Sequence, residues 1–383
     1  MLKNHRKASR FGLFFARTWK RFKSESFTGI HNMLFFNRKK EVIGIDIGSS
    51  SVKLVHLQEH KGGYQLLEVG IIPLPPEAIV DNAFMDSSSI VETIKNLISS
   101  LGVKIKDVAC SISGNSVIIR KISLPTMPPE ELEDQIGWEA EQYIPFDIND
   151  VNIDFQILSQ DSFDPSKMNV LLVASKKDII NDYVTVFNEA GLLLSVVDVD
   201  SFAVQNAFEI NYDVNPDEVL ALVNIGAGVM NINVVKGGVT LFTRDVQMGG
   251  NLFTEEIQKQ MGVSGVEADA MKTLAHETCS EALSDVISRV NDSITQEIRR
   301  SLDFYNSSTN EDSITRIFAS GGCTKMYKLV TTINEKLGLP VEIINPFAKL
   351  HYADKDFDPE YLQEISPLMA VTVGLAIRRV GDK

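Results

Sequence analysis

The sequence predicts an α/β protein of two facing lobes, with a duplicated core and an α/β subdomain inserted after the first sheet. Three observations carry that prediction. Residues 41–59, EVIGIDIGSSSVKLVHLQE, place an aspartate in an apolar strand, follow it with a glycine and three serines, and return to a second apolar strand. Residues 219–238, VLALVNIGAGVMNINVVKGG, repeat the plan: strand, Asn in place of Asp, one residue, Gly, a small-residue turn, strand. Duplicated halves with matching glycine turns predict two lobes and a ligand between the turns. The third observation is the block 125–197, whose α-β-β-α-β order stands between the two repeats.

Taken in order, 42–48, 51–59 and 64–74 read as three strands, the last entered through Lys61-Gly62-Gly63. A helix follows over 87–103, with Ile90, Val91, Ile94, Leu97, Ile98 and Leu101 at helical spacing and serines able to cap its start. Strands are predicted at 107–114 and 116–125, which completes a first core over 41–124. Pro125, Pro128 and Pro129 mark a boundary and open a helix from 130 to about 142. Strands at 152–158 and 168–176, a helix over 177–192 and a strand at 193–200 complete the inserted unit, 125–197. A linking helix, 198–215, returns to the first core. The second core, 216–262, has three strands and the helix 251–262. A helical subdomain is expected over 263–312. The core then continues through 313–364 with the strand-to-turn segment 314–322, and the apolar helix 365–383 packs back on the first core.

Charge is uneven. The whole chain carries 37 Lys+Arg against 51 Asp+Glu, a net −14, yet residues 1–40 hold 11 of the basic side chains and one acid. The remaining 26 basic and 50 acidic side chains leave the body at −24. An acidic body lacks the field that would neutralise a polyphosphate backbone, which argues against nucleic acid as a partner. Cys110, Cys279 and Cys323 lie far apart without metal-ligand spacing, as expected in a reducing compartment. No apolar run approaches the roughly 20 residues that cross a bilayer, so any membrane association is expected to be indirect. The segment 1–40 is read as a basic tail outside the fold, either disordered or with a mis-assigned start, residues 1–32 then preceding a translation start at Met33.

The chemistry concentrates in the turns. Gly48, Ser49, Ser50 and Ser51 form a concavity of backbone N–H groups suited to phosphate oxygens. Asp46, at the end of the strand, is placed to hold the hydration shell of Mg²⁺, and Lys53 to reach the same space. Gly226, Ala227, Gly228 and Val229 are expected to clamp from the other side. Gly321 and Gly322, within ASGGCTK, supply a third turn against which an adenosine or phosphate can lie. Neither a Walker A sequence nor a dinucleotide GxGxxG in its strand-turn-helix setting is present.

These three turns, their order and the two-lobed repeat resemble the actin, sugar-kinase and heat-shock ATPase superfold, an actin-like (ribonuclease H-like) nucleotide-binding fold. The placement of the insertion resembles the cell-division protein FtsA. ELEDQIGWEAEQYIPFDINDVNIDFQIL, VLLVASKKDIINDYVTVFNEAGL and VVDVDSFAVQNAFE are similar to the PilM family of type IV pilus assembly proteins. The resemblance spans about 33–380.

It implies ATP with Mg²⁺ between the lobes. It also implies docking of the N-terminal cytoplasmic peptide of PilN beside the inserted unit. The protein would then sit in the cytoplasm, peripheral on the inner membrane through the pilus inner-membrane complex, and a homo-oligomer is compatible with this. Carried onto this chain, the resemblance puts a catalytic side chain near Asp200, ribose and base contacts at Glu255 and Lys259, and an adenosine turn ending at Lys325. Tyr143 and Phe146 become candidates for the peptide groove, whereas Trp138 is expected to seal the subdomain core. Asn224 departs from the superfold, which usually has an aspartate there. An amide can bond a metal-bound water but brings no charge, so nucleotide binding is expected to persist while hydrolysis is slow or absent. The alternatives are an ATPase that cycles or polymerises and, further off, a small-molecule kinase.

Overall fold

A computed structural model describes residues 40–160, 164–308, 313–353 and 355–381. Apart from Lys40, the basic tail lies outside the described residues.

The two halves build five-stranded sheets on one plan. In the first lobe β1 (Ile43–Ile47), β2 (Ser51–His60) and β3 (Gly63–Pro73) form an antiparallel meander. A short hairpin, β4 (Ile79–Val80) and β5 (Ala83–Phe84), and helix α1 (Ser87–Leu101) lead to β6 (Asp107–Ile112), which adds in parallel beside β1. Asp86 caps α1 through the Ser89 N–H, and Gly102 ends the helix in a left-handed conformation.

An inserted three-stranded sheet follows, made of β7 (Val117–Pro125), β8 (Val151–Gln160) and β9 (Lys167–Lys176) in the order β7-β9-β8. Helix α2 (Pro129–Ala140) covers it, burying Leu132, Ile136 and Ala140. Helix α3 (Lys177–Glu189) and β10 (Leu193–Val199) return to the first lobe and complete the order β10-β6-β1-β2-β3.

After α4 (Asp200–Asn211), the second lobe repeats the meander with β11 (Val219–Ile225), β12 (Met230–Lys236) and β13 (Val239–Val246). Helices α5 (Gly250–Met261), α6 (Gly265–Leu274) and α7 (Glu281–Ser308) pack outside it. Strand β14 (Arg316–Ser320), helix α8 (Leu329–Leu337) and β15 (Val341–Ile343) complete the order β13-β12-β11-β14-β15. The chain closes with α9 (Pro359–Ile365) and α10 (Ala370–Ala376). Both α4 and α10 lie between the sheets and are buried almost all round, which explains why neither shows an apolar stripe in sequence.

The limits of the inserted unit differ from the expected 125–197. β7 belongs to it, because residues 117–125 pair antiparallel with 175–167 of β9. α3 and β10 do not. Ile180, Tyr183, Val186 and Phe187 of α3 are buried in the first-lobe core, and β10 pairs in parallel with β6. The unit therefore spans about 117–176. The prolines that suggested a boundary at 125 mark the end of a strand within it. Trp138 also departs from expectation: it is 76% exposed, and Ile144 takes the core place beside Ile136.

Candidate functional site

Each lobe brings the same hairpin to the cleft. In the first, Ile47 pairs with Val52 and leaves 48–51 as the turn. In the second, Ile225 pairs with Met230 and leaves 226–229. The Gly48 N–H donates to the Ser51 carbonyl at 3.1 Å, and the Gly226 N–H to the Val229 carbonyl at 2.9 Å. One rung below each turn stand the residues that carry the chemistry. Asp46 faces Lys53 and forms an ion pair at 2.8 Å, with both side chains largely buried. Asn224 faces Asn231 and donates to it at 3.0 Å. The duplication thus retains the geometry and replaces a charged pair by a neutral one.

The turns confront each other closely, for a Cβ on Gly228 would lie 3.0 Å from the Ser49 Oγ. Between them is a cleft of about 430 Å³, within the usual range for a small-molecule site. Gly48, Ser49, Ser50, Ser51 and Lys53 line one wall. Gly226, Ala227, Gly228 and Val229 line the other, although the Val229 side chain is mostly buried. The first residues of α5 hold the second turn, since the Gly250 and Asn251 N–H groups donate to the Gly226 and Ala227 carbonyls at 3.0 and 2.9 Å.

Asp200, the first residue of α4, also opens into this cleft. Burial, followed by the nearby Asp46 carboxylate, pushes its pKa up to about 7, while the Ser111 and Ser113 hydroxyls pull the other way. A carboxyl titrating near neutrality is suited to taking or giving a proton, and a cation between Asp46 and Asp200 would favour the charged form of both. Among the described residues no group of three or more His, Cys, Asp or Glu side chains converges as a metal cage. Asp46 and Asp200 are a donor set of the kind that holds Mg²⁺ together with phosphates and waters.

The third turn is at the end of β14. Gly321 has φ +88°, and a Cβ there would meet the Ile225 carbonyl oxygen at 2.3 Å, so only glycine fits. Gly321 and Gly322 line the cleft. The chain then makes a short 3₁₀ turn over Gly322–Lys325, and α8 begins only at Leu329, so no α-helix N-terminus faces the site from here. Lys325 turns away and pairs with Glu364 at 3.3 Å.

Glu255 and Lys259 do not reach the cleft either. Both are exposed on α5, and Lys259 pairs with Glu256 at 3.6 Å. The neighbouring helix α6 takes that wall with Asp269, Lys272 and Thr273. Lys272 is mostly buried, bonded to Asp269 at 2.5 Å and to the Thr254 hydroxyl at 2.9 Å. Tyr143 and Phe146 lie away from the cleft on the inserted unit. Tyr143 is 38% exposed, while Phe146 packs against the subdomain core under the Lys176 ammonium, 4.4 Å from its ring centre.

Sequence reasoning did not single out Asn231, Asp245 or Lys272. Asn231 was within reach of it, because Asn224 and Asn231 repeat the Asp46 and Lys53 positions residue for residue across the turn. Asp245 and Lys272 come from strands and helices whose relation to the turns appears only in three dimensions.

Fold and cleft together define a class: a two-lobed α/β protein of the actin, sugar-kinase and heat-shock ATPase superfold, with the cleft in the place where that superfold generally has a nucleotide site. Within it, the type IV pilus assembly protein PilM family matches residues 44–380, and the chain belongs to that family. The solved PilM-PilN type IV pilus biogenesis complex is similar with a TM-score of 0.82 and 30% identity, covering 90% of this chain and 100% of that one. The ethanolamine utilization protein EutJ of Carboxydothermus hydrogenoformans shares the fold at TM-score 0.55 and 14% identity, over 89% of this chain and 90% of that one. The cell division protein FtsA of Bacillus subtilis (strain 168) is 23% identical over 278 residues, 66% of this chain. The chain spans 62% of the length of that relative.

Proposed function

We propose that the chain is an ATP-binding adapter of type IV pilus assembly, acting from the cytoplasmic side of the inner membrane. It docks the N-terminal cytoplasmic segment of PilN beside its inserted unit and hydrolyses ATP slowly or not at all. The observation that carries the nucleotide part is the pair of confronted hairpin turns, with Asp46–Lys53 under one and Asn224–Asn231 under the other. The partner follows from family membership and from likeness to a solved PilM-PilN complex.

In this reading the two glycine turns hold the phosphates. Lys53, now paired with Asp46, would pair with a phosphate oxygen, and the Asp46 carboxylate would then hold the water shell of Mg²⁺. Lys272 and Thr273 would meet the ribose, and Gly321 and Gly322 would support the adenosine. When bound, Mg²⁺ supplies charge neutralisation across the phosphates. Asn224 contributes an amide where a further carboxylate would polarise water more strongly, and slow turnover is expected from that.

A second reading, a cycling ATPase, is favoured by Asp200, whose pKa near 7 suits a general base. A turnover assay combined with peptide titration separates the two. The adapter binds a synthetic PilN N-terminal peptide equally with ATP and with a non-hydrolysable analogue. Binding that appears only while ATP is being consumed contradicts it.

A further inference from the structure

A row of side chains leads from the second phosphate turn to the inserted unit. Asn224, Asn231 and Asp245 occupy directly opposed positions on β11, β12 and β13. Asn224 Nδ2 donates to Asn231 Oδ1 at 3.0 Å, and Asn231 Nδ2 donates to Asp245 Oδ1 at 2.8 Å. The other carboxylate oxygen, Asp245 Oδ2, accepts from the Gly114 N–H at 2.5 Å, and there the row passes from the second lobe to the first. Gly114 opens the turn Gly114–Ser116, which runs directly into β7, an edge strand of the inserted sheet.

Residue types along the row fix its direction. A carboxylate has two acceptor oxygens and can bridge two donors, whereas an amide at 245 would turn an N–H towards one of them. With Asp245 as terminal acceptor, Asn231 must point Nδ2 towards it and Oδ1 towards Asn224. Asn224 must then turn Nδ2 to Asn231, which leaves its Oδ1 to accept from the Ser320 hydroxyl at 3.1 Å. The charge at 245 therefore sets which atoms the second turn offers to the cleft. The receiving end is rigid. Gly114 has φ +71°, and a Cβ there would come 2.4 Å from the Asn82 Nδ2, which is itself held by the Ser113 carbonyl at 2.8 Å.

We propose that Asp245 is a positioning residue that couples occupancy of the cleft to docking at the inserted unit. The inference rests on the adapter reading and adds its regulation. A ligand spanning both turns and the Asp245–Gly114 bond each require the lobes to be close, so they favour one another. The closed arrangement fixes the entry to β7 and presents the inserted sheet in one position. Nucleotide and partner peptide therefore bind with positive cooperativity, and linkage requires the effect to be reciprocal.

Calorimetry on the full chain tests this. The affinity for a non-hydrolysable ATP analogue with Mg²⁺ is measured with and without saturating PilN N-terminal peptide. The wild type is expected to bind the analogue about fivefold tighter or more when peptide is present. Asp245→Ala and Asp245→Ser each bind both ligands, with the ratio reduced to about one; such a loss is the signature of a broken positioning link. A role confined to stability lowers Tm and leaves the ratio intact. A ratio of one in the wild type, or an undiminished ratio in a variant that binds both ligands, overturns the inference while the adapter reading stands. If the wild type fails to bind either ligand, the adapter reading falls and the inference with it. Should Asp245→Ala not fold, Asp245→Ser decides alone.

Discussion

Asp46 and Asn224 hold equivalent places in the two repeats, and the difference between them sets the character of the cleft. Asp46 has Lys53 opposite and forms a pair that a bound phosphate can exchange; Asn224 has Asn231 and Asp245 behind it, a row of amides ending in one charge. An aspartate at 224 would face the Asn231 Oδ1 for as long as Asp245 points that amide its way. Asn224→Asp is expected to cost about 1–3 kcal/mol, the cost of an unmatched polar group. The double variant Asn224→Asp, Asp245→Asn reverses the row with every bond retained. Its loss, from denaturant melts, should be clearly smaller than the sum of the two single losses, and strict additivity would show that the row is not a unit.

Asp200 gives a pH test. Its pKa rises from 3.8 in the unfolded chain to about 7 in the fold, so the native state holds the proton more tightly. Its ionisation therefore costs nothing below pH 4; the cost grows as pH rises from about 4 to 7 and stays constant above. Asp200→Asn removes that cost. Tm is expected to rise relative to wild type at pH 8, with a gain that shrinks steadily towards pH 5. A gain independent of pH would mean that Asp200 ionises without penalty.

At the scale of elements, local pattern gave the strands and helices, while pairing decided where they belong. The meanders were legible because alternation and glycine turns are local signals. β7 was assigned to the wrong sheet because nothing within residues 117–125 names its neighbour, and only the antiparallel match to β9 does so. Glu255 and Lys259 were misplaced for a related reason: two residues one helical turn apart show that they share a face, and the direction of that face depends on packing. Trp138 misled through its size, since a large apolar ring on a helix usually faces inward. Its exposure yields a direct check. Trp138→Ala should change stability by no more than about 0.5 kcal/mol, while Leu132→Ala on the buried face of the same helix should cost about 2–5 kcal/mol. The third turn is less tolerant. Gly321→Ala combines positive φ with a backbone clash and is expected to cost about 1–3 kcal/mol in strain, lowering ATP affinity with it. A variant with unchanged melting and binding would remove the turn from the site.

For the whole molecule, the repeat foretold the two lobes and the facing turns, because a duplicated sequence folds into duplicated geometry. The relation between lobes was less legible. It depends on α4 and α10, which are buried on every side and so carry no stripe to indicate their orientation. ATP held between the lobes, as proposed, must stabilise the folded state that it ligates. At a hundredfold excess over Kd the gain is about 2.7 kcal/mol. The most direct measurement is a calorimetric titration of Mg²⁺ with a non-hydrolysable ATP analogue into the wild type and Gly228→Val, whose side chain would press on Ser49 and wedge the turns apart. One-to-one binding to the wild type, lost or weakened at least tenfold in the variant, is the expected result. No binding to the wild type, or equal binding to both, would contradict a nucleotide held between the two turns.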